Sequence, residues 1–393
     1  MNVRSEGRSP ALSVFSGGAT SGGVLAVHAH PDDETLSTGG LLATFAEAGL
    51  PVCVVTCTRG ERGEVIALPG TTSEGRAGLE GDGPALGAYR ETELAAALWR
   101  LGGGADGAVE HAFLDTLPLS GLPATGDVRA SGPPAEVRYE DSGMTWVAPG
   151  VAGPAPDSPP TAFARVPLDE SAGRLAALVR ARRPAVVATY EPGGGYGHPD
   201  HVRAHQVTVR ALELAADPAW RPDGGGASAG ESLPHLGVGQ WDESWADVEL
   251  WQAVVPAAEL REARATLAAL PEAITLAAAE GLAFADPDED LPPYAKQGLD
   301  TRSAGRQVFG TPGYRTPDVL PITRAGRIAR LDVRPVVGRV IEGMRAHASQ
   351  VQHATALAPP EGPVAGWYAL SNNVLAPILT TETYLVSSFS SPG

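Results

Sequence analysis

Within residues 24–34, VLAVHAHPDDE, a short apolar run ends in His30, Asp32, Asp33 and Glu34, broken only by Pro31. The run reads as a buried strand. Ionisable groups packed this closely at a strand end pose an electrostatic problem, because adjacent carboxylates repel each other and resist burial. A divalent cation is one solution. Imidazole with carboxylate suits zinc, and the two-residue gap lets His30 and Asp33 converge from one tight turn. Asp32, left beside the ion without binding it, would stand where a carboxylate takes the proton of a water activated there. The alternative for this stretch alone is a solvated acidic loop with a structural histidine.

A second cluster lies far downstream. Ala185 to Ala188 read as another apolar run, and it delivers GYGHPDH at 195–201. Pro199 suits the first helical position, which puts His198 near a helix N-terminus and Asp200 and His201 in its first turn, with the helix running to about Leu214. His30, Asp33 and His201 then offer three protein ligands to one cation per chain, the number a catalytic zinc site uses while leaving a position open for water. Ferrous iron tolerates the same donors. His205 shares a helix face with His201 and is a rival ligand. It lies a full turn below the mouth, which favours a buried partner instead. Asp200 either orients the His198 ring or favours the helix start.

HAHPDDE and GYGHPDH together resemble the LmbE or PIG-L type zinc deacetylases of N-acetylglucosamine conjugates. TCTRGERGEV (56–65), YRETEL (89–94), RYEDSGM (138–144) and ALSNNVLAPIL (369–379) extend the resemblance over most of the chain. The set is most similar to the mycothiol-biosynthesis branch, which acts on N-acetylglucosaminyl-inositol. The resemblance implies metal-assisted hydrolysis of an N-acetyl group on a small-molecule amino sugar, with Asp32 as base and with Tyr196 and His198 stabilising the tetrahedral oxyanion. The amine leaves with a proton returned by Asp32 or supplied by His198. Asp200 belongs to the same group.

The resemblance also assigns substrate contacts. Glu64 matches a position that touches the sugar or inositol, although RGERGE by composition reads as a solvated charged turn. Arg90 falls in the first turn of a helix, where a cation is disfavoured unless something anionic compensates. It is either an ordinary surface arginine or, by the family match, a binder of substrate hydroxyls or an ion-pair partner near the site. Asp141 is carried over as a sugar acceptor, since a carboxylate accepts from two vicinal hydroxyls at once. Two rival readings stand beside this one. An amidase of mycothiol conjugates is expected to carry lysine and proline where this chain has Leu36 and Gly197. A non-catalytic sugar-binding protein with a vestigial metal site is the rival from another class.

The elements that must position these residues form an α/β pattern. Leu36 to Ala48 read as a helix closed by Gly49, Pro51 to Thr58 as a second strand, and strand, helix, strand at this spacing is a parallel crossover. A helix from about Ala88 carries Leu94, Leu98 and Leu101, HAFLD (111–115) reads as a third strand, and Asp169 reads as the cap of a helix striped by Ala172, Leu175, Leu178 and Val179. VELWQAVV (248–255) reads as a strand, 256–270 as a helix, and Arg334 to Val351 as a closing amphipathic helix. The expected architecture is a Rossmann-like, mainly parallel sheet covered by helices, with a smaller C-terminal α+β region. Its divisions are a flexible tail over 1–23, a metal-binding catalytic domain over 24–216, and a region over 217–393 that completes the active-site wall and carries a Pro/Gly-rich insertion near 285–322.

Composition excludes several classes. A net charge of −17 argues against nucleic acid, and neither a phosphate loop nor a GxGxxG follows either strand. No stretch approaches the length of apolar sequence that spans a membrane. Lys296 is the only lysine, which reads as a GC-rich coding bias. Cys53 and Cys57 share one expected strand, where a disulfide would fight the extended backbone, so a reducing cytoplasm is the expected compartment. A homo-oligomer is left open.

Overall fold

The computed structural model describes residues 22–117, 138–148, 150–221, 243–299, 322–325 and 327–389. Residues 1–21 of the expected tail over 1–23 and most of the insertion near 285–322 lie outside them.

Five strands form a parallel sheet. They are β1 (Val24–His28), β2 (Val52–Thr56), β3 (Glu110–Phe113), β6 (Val186–Tyr190) and β7 (Val248–Pro256), in the order β3-β2-β1-β6-β7. The apolar runs of β1, β2 and β6 are buried because both of their faces are covered. The chain fills one side of β1 first, through helices α1 (Asp33–Glu47) and α2 (Gly83–Leu101). A short hairpin, β4 (Met144–Ala148) with β5 (Val151–Pro154), intervenes before the chain crosses over. The other side follows through α3 (Leu168–Arg182), the single turn α4 (Gly194–Gly197) and α5 (Pro199–Ala216). The strand order therefore reverses between β1 and β6, and the loops after these two strands face each other across the crevice where open α/β sheets bind ligands.

Local chemistry explains the helix limits. α2 begins at Gly83 and not near Ala88, because the Asp82 carboxylate accepts the Ala85 N–H at 3.3 Å and Pro84 follows in the first turn. Asp169 does not cap α3: Pro167 holds that place, and the Asp169 carboxylate instead accepts from Arg210 Nε at 2.7 Å. α5 starts at Pro199 with His198 as its cap.

Beyond β7 the chain forms α6 (Ala257–Ala269), α7 (Pro271–Glu280), β8 (Ala283–Phe284), β9 (Ala295–Lys296), β10 (Ile322–Ala325), β11 (Ile328–Asp332), α8 (Val337–Ala346), β12 (Gln352–Glu361), β13 (Val364–Ala369), β14 (Val374–Leu379) and β15 (Thr381–Phe389). β15 continues the main sheet beside β7, followed by β11 and β10, each strand antiparallel to the one before it, and β9 pairs with the end of β7. β12, β13, β14 and β8 make a separate four-stranded sheet. The division drawn at 216/217 thus runs through one continuous nine-stranded sheet. The core lies on both faces. Leu41, Leu42, Leu94, Leu98, Val340 and Ile341 pack one face under α1, α2 and α8, while Leu175, Val179, Val207 and Leu212 pack the other under α3 and α5. Cys53 and Cys57 are buried free thiols, and among the described residues no helix is long and apolar enough to cross a membrane.

Candidate metal centre and its surroundings

The two clusters meet at the reversal of strand order. His30 Nδ1 lies 3.2 Å from Asp33 Oδ2 and 3.3 Å from His201 Nε2, and His201 Nε2 lies 3.3 Å from Asp33 Oδ2. A tetrahedral ion with bonds of about 2.0–2.1 Å sets its ligand atoms about 3.3 Å apart. Three donors already held at that mutual spacing fit one face of such an ion, so the residues present suit a divalent cation. His198 also stands near, since donor atoms of His30, His198 and His201 fall within 4.8 Å of one another. The Asp33 triangle is the tighter set and includes the anionic oxygen a dication favours. His205 stays out of it, its Nδ1 lying 2.9 Å from the carbonyl of Tyr190.

The surroundings fix how each donor presents itself. Asp200 Oδ2 lies 3.3 Å from His30 Nε2, which places the ring proton there and turns the Nδ1 lone pair toward the triangle. Asp200 is held in turn by the Ser142 N–H at 2.8 Å and by the Ser142 hydroxyl. The ring of Tyr190 stacks on His201 at 4.2 Å, and its hydroxyl accepts the Ala29 N–H at 2.9 Å. His198 is oriented by the backbone of Asp200 and not by its carboxylate: the Asp200 N–H donates to Nδ1 at 3.1 Å. That contact leaves the imidazole proton on Nε2. Burial, with His30 and His201 beside it, holds His198 well below the usual histidine range, so the ring is neutral.

Asp32 caps α1 with φ +109°, a left-handed value uncommon outside glycine. Its N–H donates to Glu34 Oε2 at 2.9 Å, and Arg90 Nη2 lies 3.4 Å from its Oδ1. Burial pushes the Asp32 carboxyl up to about 7, with Arg90 opposing and Asp33 adding to the shift. Arg90 itself is buried and also donates to the carbonyls of Gly60, at 2.8 Å, and Pro31. Of the three readings weighed for Arg90, the geometry shows the ion pair.

The sequence reading placed Glu34 in the acidic cluster without giving it a role, and it missed His347. Both are wholly buried, and His347 Nε2 lies 2.8 Å from Glu34 Oε1. Against the cost of burial, His347 holds the Glu34 carboxyl down to about 2, and Glu34 in return raises His347. Glu34 was visible as part of the crowded acidic cluster, whereas nothing local to His347 marks it as the counter-charge.

The substrate residues fare unevenly. Asp141 is buried 3.7 Å from His30 Nε2, but its oxygens already accept the N–H groups of Gly143 at 2.8 Å and Arg62 at 3.3 Å. Glu64 is exposed, and its recorded contact is through its carbonyl, which accepts from Gln350. Tyr196 stands edge-on to His201 at 5.0 Å, with Trp146 against its other side at 5.8 Å, and burial beside Asp33 keeps its phenol protonated.

The family profile described as PIG-L, GlcNAc-PI de-N-acetylase, matches residues 25–212. A 1D-myo-inositol 2-acetamido-2-deoxy-alpha-D-glucopyranoside deacetylase of Streptomyces avermitilis is 36% identical over 92% of this chain and 90% of its own length. Proteins of the same description from Geodermatophilus obscurus and Rhodococcus erythropolis are 35% and 33% identical, over 92% and 93% of this chain and 90% of each relative. Among solved structures, a deacetylase of teicoplanin biosynthesis in complex with bog is 18% identical over 94% of this chain and 99% of its own, with a TM-score of 0.40.

Proposed function

The chain belongs to the PIG-L family of de-N-acetylases, and from that premise we propose that it removes acetate from N-acetylglucosaminyl-inositol. It is an amide hydrolase acting on an N-acetylglucosamine conjugate. The observation that carries the site reading is the donor triangle of His30, Asp33 and His201, 3.2–3.3 Å on each side, from which Asp32, next in sequence to Asp33, is absent.

His30, Asp33 and His201 would hold the cation, zinc or ferrous iron by its donors. Bound there, it supplies Lewis-acid polarisation of the water and of the amide carbonyl. Asp32 accepts the proton of the attacking water at a carboxylate whose affinity for protons, near 7, suits both taking and returning one. Arg90 keeps that carboxylate in place. The Nε2–H of neutral His198 and the hydroxyl of Tyr196 donate hydrogen bonds to the oxygen that gathers charge as the carbonyl carbon becomes tetrahedral. Asp32 then passes its proton to the departing amine. A neutral His198 favours this one-residue scheme over one in which the histidine is the acid. Asp141 and Arg90 serve the substrate indirectly, by shaping the loops around it, and Glu64 is retained as an outer contact to the aglycone.

The test is the purified protein loaded with zinc and offered N-acetylglucosaminyl-inositol beside a mycothiol conjugate, with free amine measured for each. Amine release from the first substrate in preference to the second is the expected result. Preference for the conjugate would make it the amidase, and turnover of neither would remove the reading.

A further inference from the structure

The peptide between Pro31 and Asp32 is gripped at both of its polar atoms. Arg90 donates to the Pro31 carbonyl, and the Asp32 N–H donates to Glu34 Oε2 at 2.9 Å. On the far side of Asp32, its own carbonyl accepts the N–H groups of Thr35 and Leu36 at 3.0 and 2.9 Å, in the first turn of α1. Asp32 is thereby kept at φ +109°, a value that a residue with a side chain holds only where its surroundings over-determine it. Relaxing to an ordinary negative φ would change the direction in which Cβ and the carboxylate leave the chain.

Glu34 can grip only if it is itself held. Its Oε1 accepts the Thr35 hydroxyl at 2.5 Å and lies 2.8 Å from Nε2 of the wholly buried His347. His347 Nδ1 has no partner among the described residues, so Glu34 is the polar group the ring serves. The turn that carries His347, just past α8, is pinned in its own right. Ser349 donates its N–H and its hydroxyl to the two Glu93 oxygens of α2 at 2.8 and 2.6 Å, and its carbonyl accepts the Ile66 N–H at 2.9 Å. A line of contacts therefore runs from α2 through the turn, His347 and Glu34 to the Asp32 backbone.

We propose that His347 is a positioning residue for the hydrolysis, fixing through Glu34 the Pro31–Asp32 peptide and so the aim of the Asp32 carboxylate. The inference rests on the deacetylase reading above, with Asp32 as its base.

The test is kcat per zinc-bound chain on N-acetylglucosaminyl-inositol. His347→Leu should lower kcat about 10–100-fold while KM stays within about twofold. His347→Gln should recover most of that loss, since a glutamine N–H stands as many bonds from Cα as the ring Nε2. On an Asp32→Ala background, His347→Leu should remove less than about twofold more, because residues that act as one unit are not additive. A role in stability alone would lower both backgrounds alike. Wild-type kcat in His347→Leu, no recovery in His347→Gln, or an undiminished loss on the Asp32→Ala background each overturns the positioning role and leaves the deacetylase reading standing. Wild-type turnover by Asp32→Ala overturns both the base and its positioning. If the leucine variant does not fold, Thr35→Val, which withdraws the other donor to Glu34 Oε1 at nearly constant volume, takes its place in the cycle, with a loss of about two- to tenfold expected and additivity again the overturning result.

Discussion

The proton of His30 is fixed by Asp200, whose carboxylate lies 3.3 Å from Nε2 without being one of the triangle's donors. Asp200→Asn should therefore lower zinc affinity by about 10–100-fold, read by competition with a chromogenic chelator, while the triangle itself survives. Asp32→Ala should keep its zinc by elemental analysis and lose about 10²–10⁴ in kcat; loss of zinc along with activity would make Asp32 a ligand. His347→Ala strands the buried Glu34 carboxylate and should cost about 3–5 kcal/mol in denaturant unfolding, whereas a cost below 1 kcal/mol would mean that water replaces the imidazole. These residues were not equally readable. The pairing of His30 with Asp33 follows from spacing within one turn, and His201 from its place after Pro199. The partnership of Glu34 with His347 spans 313 positions, and no local pattern encodes a contact that only the finished fold creates.

Helices and strands carried their own signals where punctuation was sharp. Pro199 marked the start of α5, and the unbroken apolar runs of β1, β2 and β6 marked strands covered on both faces. Elsewhere the pattern misled. The closing helix read over 334–351 is shorter, Val337–Ala346, because the chain turns at His347 to bury its ring. β12 went unread because its sequence QHATALAPPE ends in prolines that speak against a strand. The antiparallel place of β15 beside β7 depends on pairing that no single stretch announces. On β15, Glu382 reaches into α1, and burial pushes its carboxyl up to about 7 against the pull of Tyr384 and two backbone N–H groups. A carboxyl raised above its unfolded value of 4.5 stabilises fully below about pH 4.5, and that contribution is lost as pH rises through 7. Its ceiling is about 3 kcal/mol, reduced because the side chain is only half-buried. Stability of the wild type should fall between pH 5 and pH 8 in urea titrations, and Glu382→Gln should flatten that slope; an unchanged slope would place the effect in another group.

At the scale of the whole molecule, a cation held by His30, Asp33 and His201 would add a tie between two segments that the β1–β6 pairing and the His30–Asp200 contact already join. Zinc at one hundred times its dissociation constant should add about 2.7 kcal/mol to the folded state, so melting should rise on zinc addition and return on chelation. A melting point indifferent to zinc would argue against a built site. The identity to relatives over more than nine-tenths of the chain matches what the sheet shows, since strands from the first and last hundred residues are woven into one layer. That weaving bears on unfinished polypeptides. A product released after His201 but before His347 would own every donor of the triangle and still lack the imidazole that counters Glu34. The donor triangle is thus encoded more than a hundred residues before the imidazole that balances the acidic residue beside it.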